Sequence, residues 1–281
     1  MTVPSLTLNN QTQIPQLGFG VFQVPPPQTA EVVSQALQAG YRHIDTAQMY
    51  RNEQEVGEAL KASDVPRDEL WITSKLNNGF HRPDDARRAF DESLARLGLE
   101  QIDLFLIHWP LPTLYDGDYV STWRTLTEFV EDGRARSVGV SNFQPEHLDR
   151  IVAETGVVPA VNQIEVHPYF ANDAAREASH RHGVLVEAWS PIAQGDVLDD
   201  EVIGAIAAAH DRTPSQVTLR WHVERGDIVF PKTTRRERME ENFAIFDFEL
   251  TADEVAAISA LDRGEPGRRG PNPDTFDWIP G

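Results

Sequence analysis

Cysteine is absent from the 281 residues of this chain. The sequence therefore excludes disulfide bonds, thiolate metal sites and a catalytic thiol. A chain without cysteine fits a reducing compartment, so we expect a cytoplasmic protein. The first ten residues, MTVPSLTLNN, agree with this expectation because they have neither a basic start nor an apolar stretch of signal-peptide length.

Positive charge is also scarce. Lysine occurs only at positions 61, 75 and 232, and the formal net charge is −19 at pH 7. Nucleic acids and anionic membrane surfaces are bound through basic protein faces, and this chain would on average repel them. We therefore expect neither as a partner. Long apolar runs are missing too, since no stretch of about 18 apolar residues is present to span a bilayer.

The overall composition is that of a folded globular protein, with 40% hydrophobic and 25% charged residues. We expect residues 1–281 to form a single domain, because single α/β barrels reach this size. No helical segment has an evident exposed apolar stripe, so a monomer is the simplest expectation.

Apolar runs of strand length alternate with helical patterns along the chain. Several of the helical patterns, such as DDARRAFDESLARLG, end at a glycine that suits a helix C-terminus. Alternating strands and helices predict a parallel sheet covered by helices, and eight units close a (β/α)8 TIM barrel. The eight predicted strands are LGFGVF, YRHIDTA, LWITSKL, IDLFLIHW, ARSVGVSNF, AVNQIEVH, VLVEAWSP and DIVFPKT.

A doubly wound open sheet is the alternative fold. For a nucleotide-binding enzyme it would carry a glycine-rich turn after the first strand, but GFG at 18–20 is followed by Val21, Phe22 and Gln23, without the third glycine. Outside the repeat, SLTLNNQTQIPQL predicts an N-terminal β-hairpin that plugs the barrel bottom, with Asn9 and Asn10 in its turn. FELTADEVAAISALD predicts an additional C-terminal helix, and an irregular tail rich in glycine and proline follows it.

Four ionisable side chains lie where successive predicted strands finish. Asp45 ends the second strand and Tyr50 lies in the loop after it, whereas Lys75 ends the third strand and His108 the fourth. Each alone has a structural explanation, such as a helix cap, a snorkelling lysine or a core histidine. Because a (β/α)8 barrel builds its active site at the carboxyl ends of its strands, the four together predict one pocket.

This quartet suits proton donation to a carbonyl oxygen. The ammonium of Lys75 favours a phenolate at Tyr50 and is expected to bring the pKa of that phenol down from about 10 towards neutral pH. Asp45 would supply the counter-charge of Lys75, and His108 would orient the substrate oxygen. Reduction also needs a hydride, which no side chain delivers, so a nicotinamide cofactor is implied.

The motifs around these residues resemble those of the aldo-keto reductase superfamily, with its aspartate, tyrosine, lysine and histidine tetrad. The resemblance covers almost the whole chain, and the sequence looks most similar to bacterial 2,5-diketo-D-gluconate reductases. It implies NADPH-dependent reduction of aldehydes or ketones, such as keto-sugars or small dicarbonyls. The motifs are DTAQMYRNE, ITSKL, DLFLIHWP, SVGVSNF, AVNQIEVHP and PKTTRRERMEEN.

The resemblance implies contacts to both ends of the cofactor. At the nicotinamide end, Ser141, Asn142 and Gln163 are expected to bind the carboxamide. Trp189 is expected to stack on the ring and Ser190 to approach the pyrophosphate. Amide and hydroxyl groups pair well with a carboxamide, and an indole offers a broad apolar face.

At the adenine end, the segment PKTTRRER at 231–238 is a basic island in an acidic chain. It is either a solvated helix start or an anion site. The resemblance implies that Lys232, Thr233 and Arg238 hold the 2'-phosphate of NADPH, while Glu241 and Asn242 contact adenine. The basic island then favours NADPH over NADH.

The substrate pocket departs from the family pattern. Relatives often have KLWN where this chain has KLNN, and a small residue is common at the position of Gln48. Both changes are expected to make the pocket more polar or more open. The candidate substrate contacts are Phe22, Gln48, Asn77, His108, Trp109 and Trp278.

Two other functions stay open. Lys75 could form a Schiff base in an aldolase-like barrel, or the protein could be a regulatory barrel that binds NADPH with little turnover. We expect no metal site, because His180 and His182 do not share a helix face.

Overall fold

Eight parallel strands, one from each predicted apolar run, form the barrel in a computed structural model that describes residues 3–280. Each strand pairs with the next in chain order. The last strand meets the first through a parallel bridge between Leu17 and Val229 and the bond from the Gly18 N–H to the Val229 oxygen, 2.7 Å. The predicted (β/α)8 TIM barrel is confirmed. Its strands are β3 Phe19–Gly20, β4 His43–Asp45, β5 Trp71–Leu76, β6 Ile102–Ile107, β7 Ala135–Ser141, β8 Val161–Glu165, β9 Leu185–Trp189 and β10 Ile228–Val229.

The predicted N-terminal hairpin precedes the barrel as antiparallel strands β1 (Ser5–Thr7) and β2 (Gln13–Pro15). Leu8 and Ile14 are buried against apolar side chains from the amino-terminal parts of the barrel strands, such as Trp71. The hairpin therefore closes the bottom of the barrel, as the sequence predicts.

Helices cover the outside of the barrel and bury an apolar face against it. Gly40, Gly98 and Gly156 end α1, α3 and α5 in the left-handed conformation, which glycine adopts without steric cost. The Thr251 hydroxyl caps the predicted additional helix α10. The helices are α1 Pro26–Ala39, α2 Glu53–Ala62, α3 Pro83–Leu97, α4 Tyr119–Glu131, α5 Pro145–Thr155, α6 Asp173–Arg181, α7 Glu201–Ala209, α8 Pro214–Glu224, α9 Arg236–Phe243 and α10 Ala252–Ser259.

After α10 the chain is irregular except for one 3-10 turn, Glu265–Gly267. This C-terminal tail, residues 264–280, contacts the last residues of β8 and β9 and residues that follow β5 and β6, at the carboxyl end of the barrel. Within residues 3–280 no helix is long and apolar enough to cross a membrane.

Candidate active site

Lys75 joins three of the predicted residues into one cluster at the carboxyl end of the barrel. Its fully buried Nζ donates to Asp45 Oδ1 at 2.7 Å and lies 3.3 Å from Tyr50 Oη. Lys75 Nζ also donates a hydrogen bond to the Thr46 carbonyl oxygen at 2.9 Å. Asp45 ends β4, Lys75 lies in β5, and Tyr50 ends a 3-10 turn that follows β4. Adjacent strands therefore bring together residues that are distant in sequence.

His108 follows β6 and completes the quartet. Its ring packs edge to face on Tyr50, with ring centres 5.7 Å apart. Burial, assisted by the charge of Lys75, holds the pKa of His108 well below its ordinary value, so the imidazole is neutral at pH 7. A neutral imidazole can donate a hydrogen bond to a carbonyl oxygen without carrying charge into the pocket. We call Asp45, Tyr50, Lys75 and His108 the pocket floor.

The predicted direction of the Tyr50 pKa is wrong for this structure. Burial raises the pKa of Tyr50 above its ordinary value, and the positive charge of Lys75 offsets only part of that rise. The expectation considered the ammonium and underestimated the cost of ionising a phenol away from water. Burial also opposes the charged form of Lys75, but Asp45 and Tyr50 outweigh burial and raise the pKa of Lys75. Tyr50 is therefore a protonated phenol beside a protonated amine.

A second carboxyl group, which the sequence analysis missed, lies below the floor. The Gln163 amide nitrogen donates to Asp45 Oδ2 and to Glu187 Oε2, each at 2.8 Å. Burial, assisted by the charge of Asp45, raises the pKa of Glu187 to about 8, so this side chain is mostly neutral at pH 7. The side-chain amide nitrogen of Gln163 is used by the two carboxyl groups, and within residues 3–280 no group donates a hydrogen bond to its side-chain oxygen. The signal was a glutamate inside the apolar run VLVEAWSP.

The other residues expected at the nicotinamide end form a hydrogen-bonded group beside the floor. The Asn142 amide nitrogen donates to the His108 carbonyl oxygen at 2.9 Å, and its oxygen accepts from Trp189 Nε1 at 2.9 Å. The Ser141 hydroxyl donates to the backbone carbonyl oxygen of Gln163 at 2.8 Å. Asn142 and Ser190 both have left-handed backbones, with φ of 64° and 50°. Strained positions of this kind concentrate at functional sites.

The residues expected at the adenine end lie after β10 and in α9. Lys232 and Arg238 are exposed, and in residues 3–280 neither pairs with a carboxylate. The Thr233 hydroxyl accepts from the Arg235 N–H at 3.1 Å, at the start of the helix. Unpaired cations at a helix N-terminus suit a phosphate, which fits the cofactor that the sequence predicts.

The two residues expected at adenine are held by the N-terminal turn of α8. Glu241 accepts a hydrogen bond from the Thr213 hydroxyl at 2.6 Å, and Asn242 accepts one from Ser215 at 2.9 Å. Asn242 is buried, whereas Glu241 is partly exposed beside the basic island.

The candidate substrate contacts differ in where they lie. Phe22 is 54% exposed and packs against the Tyr50 ring, with centres 5.0 Å apart. The Trp109 ring packs on Phe276 of the tail, 4.2 Å between centres, and the sequence analysis missed Phe276. The Trp278 indole is exposed, and its backbone oxygen accepts the bond from Asn78. We call Phe22, Trp109 and Phe276 the aromatic wall.

The polar atoms of Gln48 are used in hydrogen bonds within the chain, and so is the side-chain oxygen of Asn77. The Gln48 amide nitrogen donates to the Ala89 oxygen and to Ser93 in α3, and its oxygen accepts from the Asn77 N–H at 2.7 Å. The Asn77 oxygen accepts from the Gly79 N–H at 2.9 Å. The expected increase in pocket polarity from Gln48 is therefore wrong, because its hydrogen bonds tie β5 to α3.

The histidines considered for metal binding make local contacts. His182 Nε2 lies 2.6 Å from Asp149, and burial lowers the pKa of His180. Across residues 3–280, no group of three or more histidine, cysteine, aspartate or glutamate side chains is arranged to hold a metal ion.

The barrel, the pocket floor and the positions of the residues expected to contact the cofactor agree with the family resemblance. The sequence profile of the aldo/keto reductase family matches residues 16–263. The chain belongs to the aldo/keto reductase family. The match runs from the turn before β3 to the start of the tail, so it includes every strand of the barrel.

Individual relatives within the family match the chain from end to end. An aldo-keto reductase of Mycolicibacterium smegmatis is 47% identical over 98% of this chain and 99% of its own length. The methylglyoxal reductase DkgA of Yersinia pestis is 46% identical over 97% of this chain and 97% of its own length. The family prediction is thus confirmed, with a methylglyoxal reductase rather than a 2,5-diketo-D-gluconate reductase among these relatives.

Solved structures of the family have the same fold. The crystal structure of Gox0644 in its apo form has a TM-score of 0.94 at 45% identity and covers 99% of this chain and 100% of that one. A Gox0644 mutant in complex with NADPH has a TM-score of 0.94 at 44% identity, with the same coverage.

Proposed function

We propose that the protein is an NADPH-dependent reductase that converts aldehydes or ketones to alcohols, with Tyr50 as the proton donor. The observation that carries the proposal is the Lys75 ammonium held between Asp45 and Tyr50. When bound, NADPH supplies the hydride that reduces the carbonyl carbon. Tyr50 Oη gives its proton to the carbonyl oxygen, and Lys75 stabilises the phenolate that remains. His108, neutral and next to Tyr50, orients the same oxygen.

The cofactor is held at both ends by residues of this chain. The free carbonyl of Gln163, with Ser141 and Asn142, would bind the carboxamide, and the Trp189 indole would carry the ring beside Ser190. The unpaired Lys232 and Arg238, with Thr233, would hold the 2'-phosphate, and Glu241 and Asn242 would contact adenine. The selection of NADPH over NADH rests on these cations in a chain of net charge −19.

A small dicarbonyl, with methylglyoxal as the probe, is the substrate class we favour, and a keto-sugar such as 2,5-diketo-D-gluconate is the second candidate. Relatives that cover nearly the whole chain in Yersinia pestis and Salmonella typhimurium are methylglyoxal reductases. The wall is aromatic, and Gln48 uses its polar atoms on α3 and on the Asn77 N–H, so they are not available to recognise a sugar chain.

The alternative use of Lys75 as a Schiff-base nucleophile has little support. A nucleophilic lysine needs a neutral amine, whereas Asp45 raises the pKa of Lys75 and its nitrogen already has three hydrogen-bond partners. The regulatory barrel stays the second hypothesis, and turnover decides between it and the reductase.

The test follows NADPH oxidation by absorbance with methylglyoxal, naphthaldehyde and 2,5-diketo-D-gluconate. We expect turnover in the wild type and a loss of at least about 10³-fold in Tyr50→Phe, with NADPH affinity nearly unchanged. Normal turnover in Tyr50→Phe would refute the proton-donor role. NADPH binding without turnover of any carbonyl would favour the regulatory barrel.

We also propose that the enzyme acts in the cytoplasm as a monomer and as a single domain. The absence of cysteine supports the compartment, and the single eight-stranded barrel supports the single domain. Light scattering after size exclusion tests the monomer, since a mass near twice 31.5 kDa would refute it.

A further inference from the structure

The Glu165 carboxylate, at the end of β8, binds the C-terminal tail. Its Oε1 accepts from the Arg269 N–H at 2.6 Å and lies 3.0 Å from His167 Nε2, while Oε2 accepts from the Gly270 N–H at 2.9 Å. The side chain is 1% exposed, and in residues 3–280 no lysine or arginine neutralises it. We call Glu165 with these three donors the clasp. A buried carboxylate makes strong, charge-assisted hydrogen bonds with N–H groups, so it holds the tail backbone that donates them in one position.

The clasp holds the tail backbone at Gly270 in contact with the Trp189 side chain. Glu165 and Trp189 are register partners in β8 and β9. A Cβ on Gly270 would lie 2.4 Å from Cη2 of Trp189 and 3.1 Å from Oε2 of Glu165, so only glycine fits between them. The tail backbone therefore lies against the indole that we expect to carry the nicotinamide ring.

From the clasp the tail runs to the opposite side of the barrel mouth. Phe276 packs on Trp109 after β6, and the Trp278 oxygen accepts from Asn78 Nδ2 after β5 at 2.9 Å. Next to the clasp, the Arg269 guanidinium pairs with Asp196 in the loop after β9 at 2.5 Å. The tail is thus attached at β8 and again beyond β5 and β6, and Phe276 of the aromatic wall lies between these attachments.

We propose that Glu165 is a positioning residue that fixes the tail across the barrel mouth and thereby restricts the site to small carbonyl substrates. The inference rests on the proposed reductase function, since it concerns the substrate side of the same pocket. Glu165 itself touches neither the floor nor the aromatic wall, and it acts through the backbone of Arg269 and Gly270.

Two variants are designed to break the clasp, one by changing the carboxylate in β8 and the other by changing the tail. Glu165→Gln keeps the shape but turns an amide N–H towards one of the three donors, so at least one bond is lost. Gly270→Ala leaves Glu165 intact and places a methyl group against Trp189. Glu265→Gln is the matched control, because Glu265 is an exposed tail carboxylate whose ion pair within residues 3–280 is with Arg268 and which makes no bond to the clasp.

The first readout is hydrogen exchange of the tail amides in the enzyme without cofactor. We expect residues 269–276 to exchange at least about tenfold faster in Glu165→Gln and Gly270→Ala than in the wild type and the control. Wild-type exchange in both variants would overturn the clasp. This readout needs no turnover, so it decides on the clasp even if the wild type reduces no carbonyl and the proposed function fails.

The second readout is substrate selectivity, measured as kcat/KM for methylglyoxal divided by kcat/KM for naphthaldehyde. We expect this ratio to fall about tenfold in Glu165→Gln, through a higher KM for methylglyoxal, while its kcat and the Kd of NADPH change less than about threefold. Gly270→Ala is used for the exchange readout alone, because its methyl group meets Trp189. Faster exchange with an unchanged ratio would overturn the role in selectivity. A loss of kcat for both substrates would show damage to the floor and would also overturn it.

Discussion

The pocket floor and the aromatic wall are built in different ways. The floor consists of side chains at strand ends or directly after them, fixed by hydrogen bonds between neighbouring strands, such as the bond from Lys75 to Asp45. The wall is assembled from loops and from a tail that returns to the mouth more than 150 residues after Trp109, where Phe276 packs on that indole. The floor is thus set by the barrel, whereas the wall can vary without disturbing the barrel.

This difference predicts that floor variants lower turnover for every substrate, while wall variants change the preference between substrates. The largest effect is expected for Lys75→Met. Without the ammonium, the phenolate at Tyr50 loses its stabilisation and Asp45 is left as an unpaired buried charge. We expect kcat/KM to fall about 10³-fold for methylglyoxal and naphthaldehyde alike.

A double variant separates this loss from misfolding. Asp45→Asn with Lys75→Met removes both buried charges, so we expect the thermal midpoint to recover towards that of the wild type while turnover stays low. Recovery of turnover together with stability would contradict the role of Lys75 in the floor.

The basic island is a third region, which follows β10 and shares no residue with the floor or the wall, and it is expected to act on cofactor affinity alone. Lys232→Ala with Arg238→Ala removes two charge-assisted contacts to the 2'-phosphate. We expect the Kd of NADPH, measured by fluorescence quenching, to rise about 100-fold, since each such bond contributes about 1.5–3 kcal/mol. The Kd of NADH should change less than about threefold.

Arg236→Ala provides the matched control for this prediction. Arg236 lies on the same helix but pairs with Glu240 at 3.0 Å, so it is not available to a phosphate in the same way. An equal loss of NADPH affinity in Arg236→Ala would mean that general charge, rather than a defined site, binds the cofactor.

The sequence predicts the floor better than the wall for a physical reason. Strand ends follow from apolar runs, so Asp45, Lys75 and His108 are placed by the barrel alone. The tail has no periodicity, so the sequence points to Trp278 where the structure places Phe276 on the wall. The predicted pKa of Tyr50 had the wrong direction because the depth of burial, which outweighs Lys75, cannot be taken from sequence spacing.

Phe276→Ala tests the wall directly. Loss of the ring that packs on Trp109 should raise KM for methylglyoxal about tenfold and leave kcat within about threefold, because the floor is unchanged. Trp278→Ala is the comparison, since its indole is 53% exposed and only its backbone makes the bond to Asn78. If Trp278→Ala raised KM for methylglyoxal more than Phe276→Ala does, Trp278 would be the substrate contact, as the sequence predicts.

The smallest catalytic effect is expected below the floor, for Glu187→Gln, because its oxygen can still accept the bond from Gln163. Its consequence is for stability. Burial raises the pKa of Glu187 to about 8 in the folded protein, against 4.5 for the ordinary carboxyl of the unfolded chain. Between these values the folded state binds the extra proton, so the contribution of Glu187 to the free energy of unfolding falls as pH rises and levels off above about pH 8.

In Glu187→Gln this pH dependence disappears, because the amide does not titrate. Urea unfolding between about pH 5 and 9 should therefore show that the free energy of unfolding of the variant rises relative to that of the wild type, by on the order of 3 kcal/mol across this pH range. His43, whose pKa burial lowers from 6.5 to about 3, makes the stability of both proteins rise with pH up to about pH 7. Because His43, Asp45 and Lys75 are common to the two proteins, the difference between their curves reports on Glu187. Parallel stability curves would mean that Glu187 is ionised in the folded protein, with two carboxylates sharing the Gln163 amide beneath an otherwise intact floor.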